Sequence, residues 1–176
     1  MSNDRQRGLV IVNTGDGKGK SSSAFGVMLR AVARDWNVIV VQFIKSDKWK
    51  TGERKMAERL GVEWITGGDG FTWESDDMDA TQQAARDAWE RAKGALTSGE
   101  YDLVILDEAT YPVTFEWVPI DDVLATIRLR NHATNVIITG RDADPALIEL
   151  ADTVTEMKKI KHVFDEGVPA KKGLDF

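Results

Sequence analysis

Apolar and polar residues follow two patterns along this chain. Short apolar runs rich in β-branched residues are typical of buried strands, and they fall at 9–13, 37–43, 62–65, 102–106, 135–139 and, more weakly, 153–157. Segments whose apolar positions repeat with the helical period fall at about 20–34, 53–60, 77–97, 120–130 and 144–151. This alternation predicts an α/β fold in which helices cover both faces of a mostly parallel sheet of about six strands.

The segment 77–97 shows the helical period best. Its small and apolar residues fall on one stripe: Ala85, Ala88, Trp89, Ala92, Ala95 and Leu96. An aromatic ring within such a stripe packs against the sheet, so we interpret Trp89 as a core residue.

Composition narrows the function classes. The chain has 42% hydrophobic and 30% charged residues and a net charge of -6, which argues against a nucleic-acid or anionic-membrane surface. It has no cysteine and two histidines, which excludes thiolate metal sites and disfavours histidine-rich ones. The polar start, MSNDRQRG, contains no apolar signal region. We expect a cytoplasmic, single-domain protein over 1–176, with an extended tail at about 160–176.

The stretch TGDGKGKS, residues 14–21, resembles the phosphate-loop pattern G-x-x-x-x-G-K-[ST]. Its end matches, but Thr14 replaces the first glycine and Lys18 adds a second lysine. A strand before it and a helix after it are the context in which backbone N–H groups bind phosphate, which makes a chance glycine-rich turn the weaker interpretation. The expected nucleotide-binding residues are Thr14, Gly15, Asp16, Gly17, Lys18, Gly19, Lys20, Ser21 and Ser22, and Ser21 would also bind Mg²⁺.

Two further strand ends carry candidate residues. Asp107 and Glu108 follow the strand 102–106, where an acid pair can hold Mg²⁺ beside the phosphates, although acids at strand ends are often merely solvated. In VIITGR, residues 136–141, Thr139 or Arg141 could contact the nucleotide, but an exposed arginine after a turn glycine is an equally good interpretation. Of the histidines, His132 suits a surface loop, and physical reasoning assigns no role to His162.

Aromatic residues stand in two polar loops that follow strands. Phe71 and Trp73 flank Thr72 in GFTWES, and Trp49 lies in KSDKWKTGE. Exposed rings at one sheet edge would suit a broad, flat, apolar co-substrate. The alternative, that these rings pack back onto their own domain, stays open.

Several motifs together, in this order, resemble the RecA-like, phosphate-loop type of ATP:corrinoid adenosyltransferases. They are TGDGKGKSSSAFG, VVQFIK, GFTWE, LDEATY, VIITGR with LADTVTEM, and KHVFDEGVPAKKGLDF. The resemblance covers nearly the whole chain, from Arg7 to Phe176. It implies a three-layer RecA-like fold, Mg²⁺ or Mn²⁺ as metal, ATP and a reduced corrinoid as substrates, a flavoprotein reductant and a homodimer.

The resemblance also implies a reaction. The family transfers the 5′-deoxyadenosyl group of ATP to cobalt(I) of cobalamin or a precursor such as cobyrinic acid a,c-diamide, and releases triphosphate. ATP is bound in reverse relative to ordinary phosphate-loop enzymes, so that C5′ faces the cobalt. Lys18 and Lys20 would stabilise the leaving triphosphate, and Ser21 with Asp107 or Glu108 would hold the metal.

The matching positions of the aromatic loop have a redox role in the family. There, the aromatic residues press on the lower face of the corrin and exclude the axial ligand, which makes cobalt(II) easier to reduce. The resemblance assigns this role to Phe71 and Trp73, and we count both among the expected catalytic residues with Lys18 and Lys20.

Three other functions share some of these features. A phosphate-loop kinase or NTPase would use the same loop and acid pair but would release phosphate or diphosphate. A non-catalytic carrier would bind nucleotide and corrinoid without forming a carbon–cobalt bond. A RecA-like DNA motor is disfavoured by the acidic composition.

Overall fold

The computed structural model describes residues 7–44, 51–67 and 78–175. Its strands are β1 (Val10–Thr14), β2 (Val38–Phe43), β3 (Glu63–Gly67), β4 (Leu103–Asp107), β5 (Asn135–Thr139) and β6 (Thr153–Glu156). Its helices are α1 (Lys20–Val32), α2 (Gly52–Arg59), α3 (Met78–Ser98), α4 (Thr110–Thr114), α5 (Ile120–Leu129) and α6 (Pro145–Leu150), and a 3₁₀ turn follows at Val163–Glu166.

All six strands belong to one parallel sheet, in the order β3-β2-β4-β5-β1-β6. The expected strands are therefore all present, and the α/β fold class is confirmed. The strand that leads into the phosphate loop, β1, is separated from the strand that ends in the acid pair, β4, by β5. Because the strands are parallel, their carboxyl ends and the loops that follow them meet at one edge.

Helices cover both faces of the sheet because the strands are apolar on both sides. Every position of β2 is buried: Val38 and Val40 pack with α1 and α2, whereas Ile39 and Val41 pack on the opposite face with α3. This alternation follows from the two-residue period of a strand. The result is a three-layer structure whose two cores lie above and below the sheet.

The helix α3 covers the second face, together with α5 and α6. Its stripe is buried as expected, and Trp89 is 4% exposed. The indole Nε1 donates to Asp122 Oδ2 at 2.7 Å, which joins α3 to α5. The interpretation of Trp89 as a core residue is confirmed.

Two features depart from the sequence pattern. The short helix α4 was not expected, because five residues that include Pro112 are too few to display a helical period. The edge strand β6 is exposed at every position, which explains its weak apolar signal. Within the described ranges, no helix is long and apolar enough to cross a membrane.

Replacing Trp89 with alanine tests the contact between α3 and the sheet. We expect Trp89→Ala to lower the free energy of unfolding by about 3–5 kcal/mol, because it leaves a cavity and removes a hydrogen bond. The measurement is urea unfolding followed by circular dichroism. Trp36, which is 43% exposed, provides the matched control, and Trp36→Ala should cost less than about 1 kcal/mol. Equal losses for both variants would contradict the assignment of Trp89 to the core.

Candidate active site

Polar side chains form a row across the carboxyl ends of four neighbouring strands. Gln42 on β2 lies in register with Asp107 on β4. Asn13 on β1 lies in register with Thr139 on β5. Asn13 Nδ2 donates to the carbonyl of Lys20 at 3.3 Å, which ties the start of α1 to the same level. We call Asn13, Gln42, Asp107 and Thr139 the polar row.

Asp107 is the most constrained member of the polar row. It is completely buried, and both carboxylate oxygens accept hydrogen bonds, from Gln42 Nε2 at 2.7 Å and from Thr139 Oγ1 at 2.8 Å. A buried carboxylate is costly unless it is hydrogen-bonded, so these two donors stabilise it. Asp107 is therefore not a solvated acid at the end of a strand, which was the alternative interpretation.

Thr139 also determines the position of the second acid. Its Oγ1 accepts the backbone N–H of Glu108 at 3.0 Å, and Glu108 has a φ of 58°, which is uncommon for a residue with a side chain. The hydroxyl of Thr139 is thus engaged with both acids and is completely buried. Thr139 therefore holds the acid pair in place, and its contact with the nucleotide stays a prediction.

The phosphate loop is shaped by glycine and by the residues after β6. Gly15 and Gly19 have φ angles of 93° and 123°, and Gly19 caps the N-terminus of α1. Gly17 N donates to the carbonyl of Met157 at 2.5 Å, and Met157 N donates to the carbonyl of Thr14 at 2.7 Å. A Cβ on Gly17 would lie 2.6 Å from the Met157 carbonyl oxygen, so this close approach requires glycine. The amide N–H of Gly17 therefore donates to another part of the protein.

Lys20 is folded onto the phosphate loop. Its Nζ donates to the carbonyls of Gly15 and Gly17 at 2.6 and 2.8 Å, and the residue is 8% exposed. Burial lowers the pKa of the Lys20 ammonium, and the charge of Glu108 opposes that effect. Glu108 and the loop lysine are therefore close enough to interact electrostatically.

A cavity of about 330 Å³ opens beside the loop. Lys18, Lys20 and Arg141 line it, so the structure brings the two lysines of the loop together with an arginine that lies far away in the sequence. Arg141 Nε lies 4.0 Å from Asp16 Oδ1, and Lys18 donates to Asp175 near the C-terminus. These cations give the cavity the chemistry of a polyphosphate site.

The residues at this edge fit a Mg²⁺ ion that is bound together with a nucleotide. The described residues contain no group of three or more acids or histidines that could hold a metal without other ligands. Mg²⁺ usually binds one or two carboxylates and completes its shell with phosphate oxygens and water. Ser21 in the first turn of α1 and the pair Asp107 and Glu108 are suitable donors for that arrangement.

The remaining candidate residues from the sequence do not all lie at this site. Phe71, Trp73 and Trp49 lie outside the described residues. Ser22 lines a different groove, between α1 and α2. His162 lines the cavity beside the loop, although the sequence assigned it no role. Gln42 was also missed, and its one signal was a polar residue within the apolar run VIVVQF.

Comparison with known proteins points in one direction. The family ATP:corrinoid adenosyltransferase BtuR/CobO/CobP matches residues 6–176. The corrinoid adenosyltransferase of Escherichia coli K12 is 44% identical, over 97% of this chain and 87% of the relative. The corrinoid adenosyltransferase CobA of Salmonella typhimurium LT2 is 43% identical, with the same coverage.

Solved structures support the fold. The flagellar accessory protein FlaH from Methanocaldococcus jannaschii has a TM-score of 0.54 at 14% identity, covering 86% of this chain and 71% of that one. At this identity the likeness shows the overall fold alone.

Removing the hydroxyl of Thr139 tests the polar row. We expect Thr139→Val to lower the free energy of unfolding by about 1–3 kcal/mol, because Asp107 loses a buried donor and Glu108 N–H loses its acceptor. Magnesium-dependent ATP binding should weaken as well, which calorimetric titration measures. Thr139→Ser keeps the hydroxyl and should retain most of the ATP affinity. An unchanged ATP affinity in Thr139→Val would show that the acid pair does not depend on this residue.

Proposed function

Because the chain belongs to the family of ATP:corrinoid adenosyltransferases, we propose that its phosphate loop and acid pair hold ATP while the 5′-deoxyadenosyl group moves to the cobalt of a reduced corrinoid. The observation that carries the assignment to this edge is the joint position of Lys20, the cationic cavity and the buried Asp107. A kinase would use similar parts, but its family is not the one that matches this chain.

The proposed chemistry needs stabilisation of a leaving group more than it needs a base. The electron pair of cobalt(I) forms a bond to C5′, the C5′–O bond breaks, and triphosphate departs with that bonding pair. Lys18, Lys20 and Arg141 stabilise the negative charge that develops on the triphosphate. The nucleophile carries no proton, so no general base is required.

We further propose that Mg²⁺ is bound by Ser21 and by Asp107 or Glu108 together with phosphate oxygens, with Mn²⁺ as an alternative. When bound, the ion supplies additional positive charge to the polyphosphate. Gln42 and Thr139 would not bind the ion themselves. Their hydrogen bonds to Asp107 hold its carboxylate in a fixed position. Thr14, Gly15, Asp16, Gly19 and Ser22 complete the proposed loop.

The corrinoid half of the site belongs to the proposal too. Phe71 and Trp73 would contact the lower face of the corrin, a flavoprotein would supply the electron, and two chains would form a homodimer. We propose cob(I)alamin or cob(I)yrinic acid a,c-diamide as acceptor, and one cytoplasmic domain that includes the C-terminal tail. The support is the motif GFTWE and the family match across 6–176.

Product analysis tests the proposed reaction. Protein mixed with ATP, Mg²⁺ and chemically reduced corrinoid should form a light-sensitive alkylcobalt spectrum and release triphosphate. Lys20→Ala should reduce the rate at least about 100-fold, because a donor to the leaving group is lost. Lys55→Ala, which removes an exposed lysine of α2, is the control and should leave the rate unchanged. Release of orthophosphate without an alkylcobalt product would establish the kinase or NTPase alternative.

The aromatic loop can be tested by the oxidation state of the corrinoid. We expect Phe71→Ala and Trp73→Ala to slow the reaction that starts from cobalt(II) much more than the reaction of cobalt(I) reduced beforehand. The reason is that the rings act on reduction of the metal, through the apolar surroundings that they give it. Rates are followed by the alkylcobalt absorbance in both assays. Equal losses in the two assays would count against a redox role.

A further inference from the structure

The C-terminal segment forms one wall of the cavity beside the phosphate loop. We call residues 158–175 the tail. Its residues Lys159, His162 and Asp165 line the same cavity as Lys18, Lys20 and Arg141. The cavity, of about 330 Å³, therefore lies between two parts of the chain that are distant in sequence.

Three of the four cationic residues that line this cavity are each paired with one carboxylate, and the fourth, Lys20, donates to backbone carbonyls. The ion pairs are Lys18 with Asp175, Lys159 with Asp165 at 3.1 Å, and Arg141 with Asp16 at 4.0 Å. These pairs are partly exposed, and such pairs contribute little individually. A polyphosphate carries several charges on closely spaced oxygens, so it can compete with carboxylates for these cations. Lys159 of the tail, as well as the cationic residues of the loop, is thus suited to bind a polyphosphate in this cavity.

The two ring nitrogens of His162 have different hydrogen-bonding roles. Its Nδ1 accepts the backbone N–H of Phe164 at 3.1 Å and so caps the 3₁₀ turn. In a neutral imidazole, one nitrogen accepts and the other carries the proton. The proton of the neutral ring is therefore on Nε2, which makes Nε2 a hydrogen-bond donor on a half-buried residue of the cavity wall.

We propose that His162 binds the polyphosphate, with Nε2–H donating to a phosphate oxygen of ATP and of the triphosphate product. This inference rests on the proposed function, since it takes the loop as the polyphosphate site. His162 lines the cavity from the tail and Lys20 lines it from the phosphate loop, so both segments would contact the ligand. The tail then belongs to the nucleotide site, and the cap on Phe164 N–H keeps the imidazole in the donating tautomer.

Two substitutions separate the two nitrogens of His162. Asparagine keeps an acceptor near the position of Nδ1, so His162→Asn retains the cap of the turn but lacks the distal donor. Glutamine reaches farther and places an N–H near the position of Nε2. We expect His162→Asn to weaken binding of inorganic triphosphate about 10-fold in calorimetric titration, and His162→Gln to recover most of that loss.

The other histidine provides a matched control. His132 is exposed and lies before β5, at the amino edge of the sheet, so His132→Asn should bind triphosphate as the unmodified protein does. Urea unfolding of each variant reports on the cap. If His162→Asn lowers the unfolding midpoint and the affinity together, and His162→Gln restores neither, His162 is only a cap and the proposal is wrong.

A Lys20→Ala variant distinguishes failure of this inference from failure of the proposed function. If Lys20→Ala loses triphosphate binding while His162→Asn binds normally, the loop is the polyphosphate site and the role of His162 is refuted. If Lys20→Ala binds triphosphate as well as the unmodified protein, the proposed polyphosphate site itself fails, and this inference fails with it.

Discussion

The hydrogen bonds around the buried carboxylate of Asp107 are the constraint on which the site depends. Both oxygens are engaged, one by Gln42 and one by Thr139, and the side chain has no exposure to water. A buried carboxyl group is tolerated only with such hydrogen-bond partners, so three adjacent strands must keep their register. A shift of one residue would turn every one of these side chains to the other face. The geometry of the site at the edge of the sheet therefore depends on the strand register that the core maintains.

The site concentrates positive charge on a protein that is acidic as a whole. The net charge is -6, yet the cavity beside the loop is lined by four cationic side chains and two carboxylates. Net charge describes the average surface and excludes classes of partner, but it does not describe a local field. Lys18, Lys20, Arg141 and Lys159 come from three separate segments, and only the fold brings them together. This cavity can therefore attract an anionic nucleotide although the protein carries a negative net charge.

The sequence predicted the fold well because its signals are local. The strands other than β6 lie in short apolar runs, and α1, α3 and α5 repeat with a clear helical period. The phosphate loop and the acid pair were also found, since their motifs are contiguous. The helix α4 was missed because its five residues carry no periodic signal. Local patterns thus predict elements of sufficient length and motifs that are continuous in the chain.

Contacts between distant segments could not be predicted in the same way. In the sequence, Gln42 is an isolated polar residue in an apolar run. The register of β2 and β4 places it beside Asp107 in the structure. His162 follows no motif, and its position depends on the path of the tail past the loop. The two hydrogen bonds of Thr139 to the acid pair were also missed, because they involve residues 31 and 32 positions away. The redox role of Phe71 and Trp73 came from the family resemblance and stays a prediction.

The hydrogen bond from Gly17 to Met157 joins the phosphate loop to the edge of the sheet. Met157 follows β6 directly, and within the described residues β6 pairs with β1 alone. A ligand that needs the loop in this shape also favours the docked edge strand, so its binding energy adds to the stability of that strand. Because such coupling is reciprocal, any event that detaches β6 would weaken binding of that ligand by the same factor. If the phosphate loop holds the nucleotide as proposed, its binding is thermodynamically linked to the edge strand β6, which is exposed at every residue.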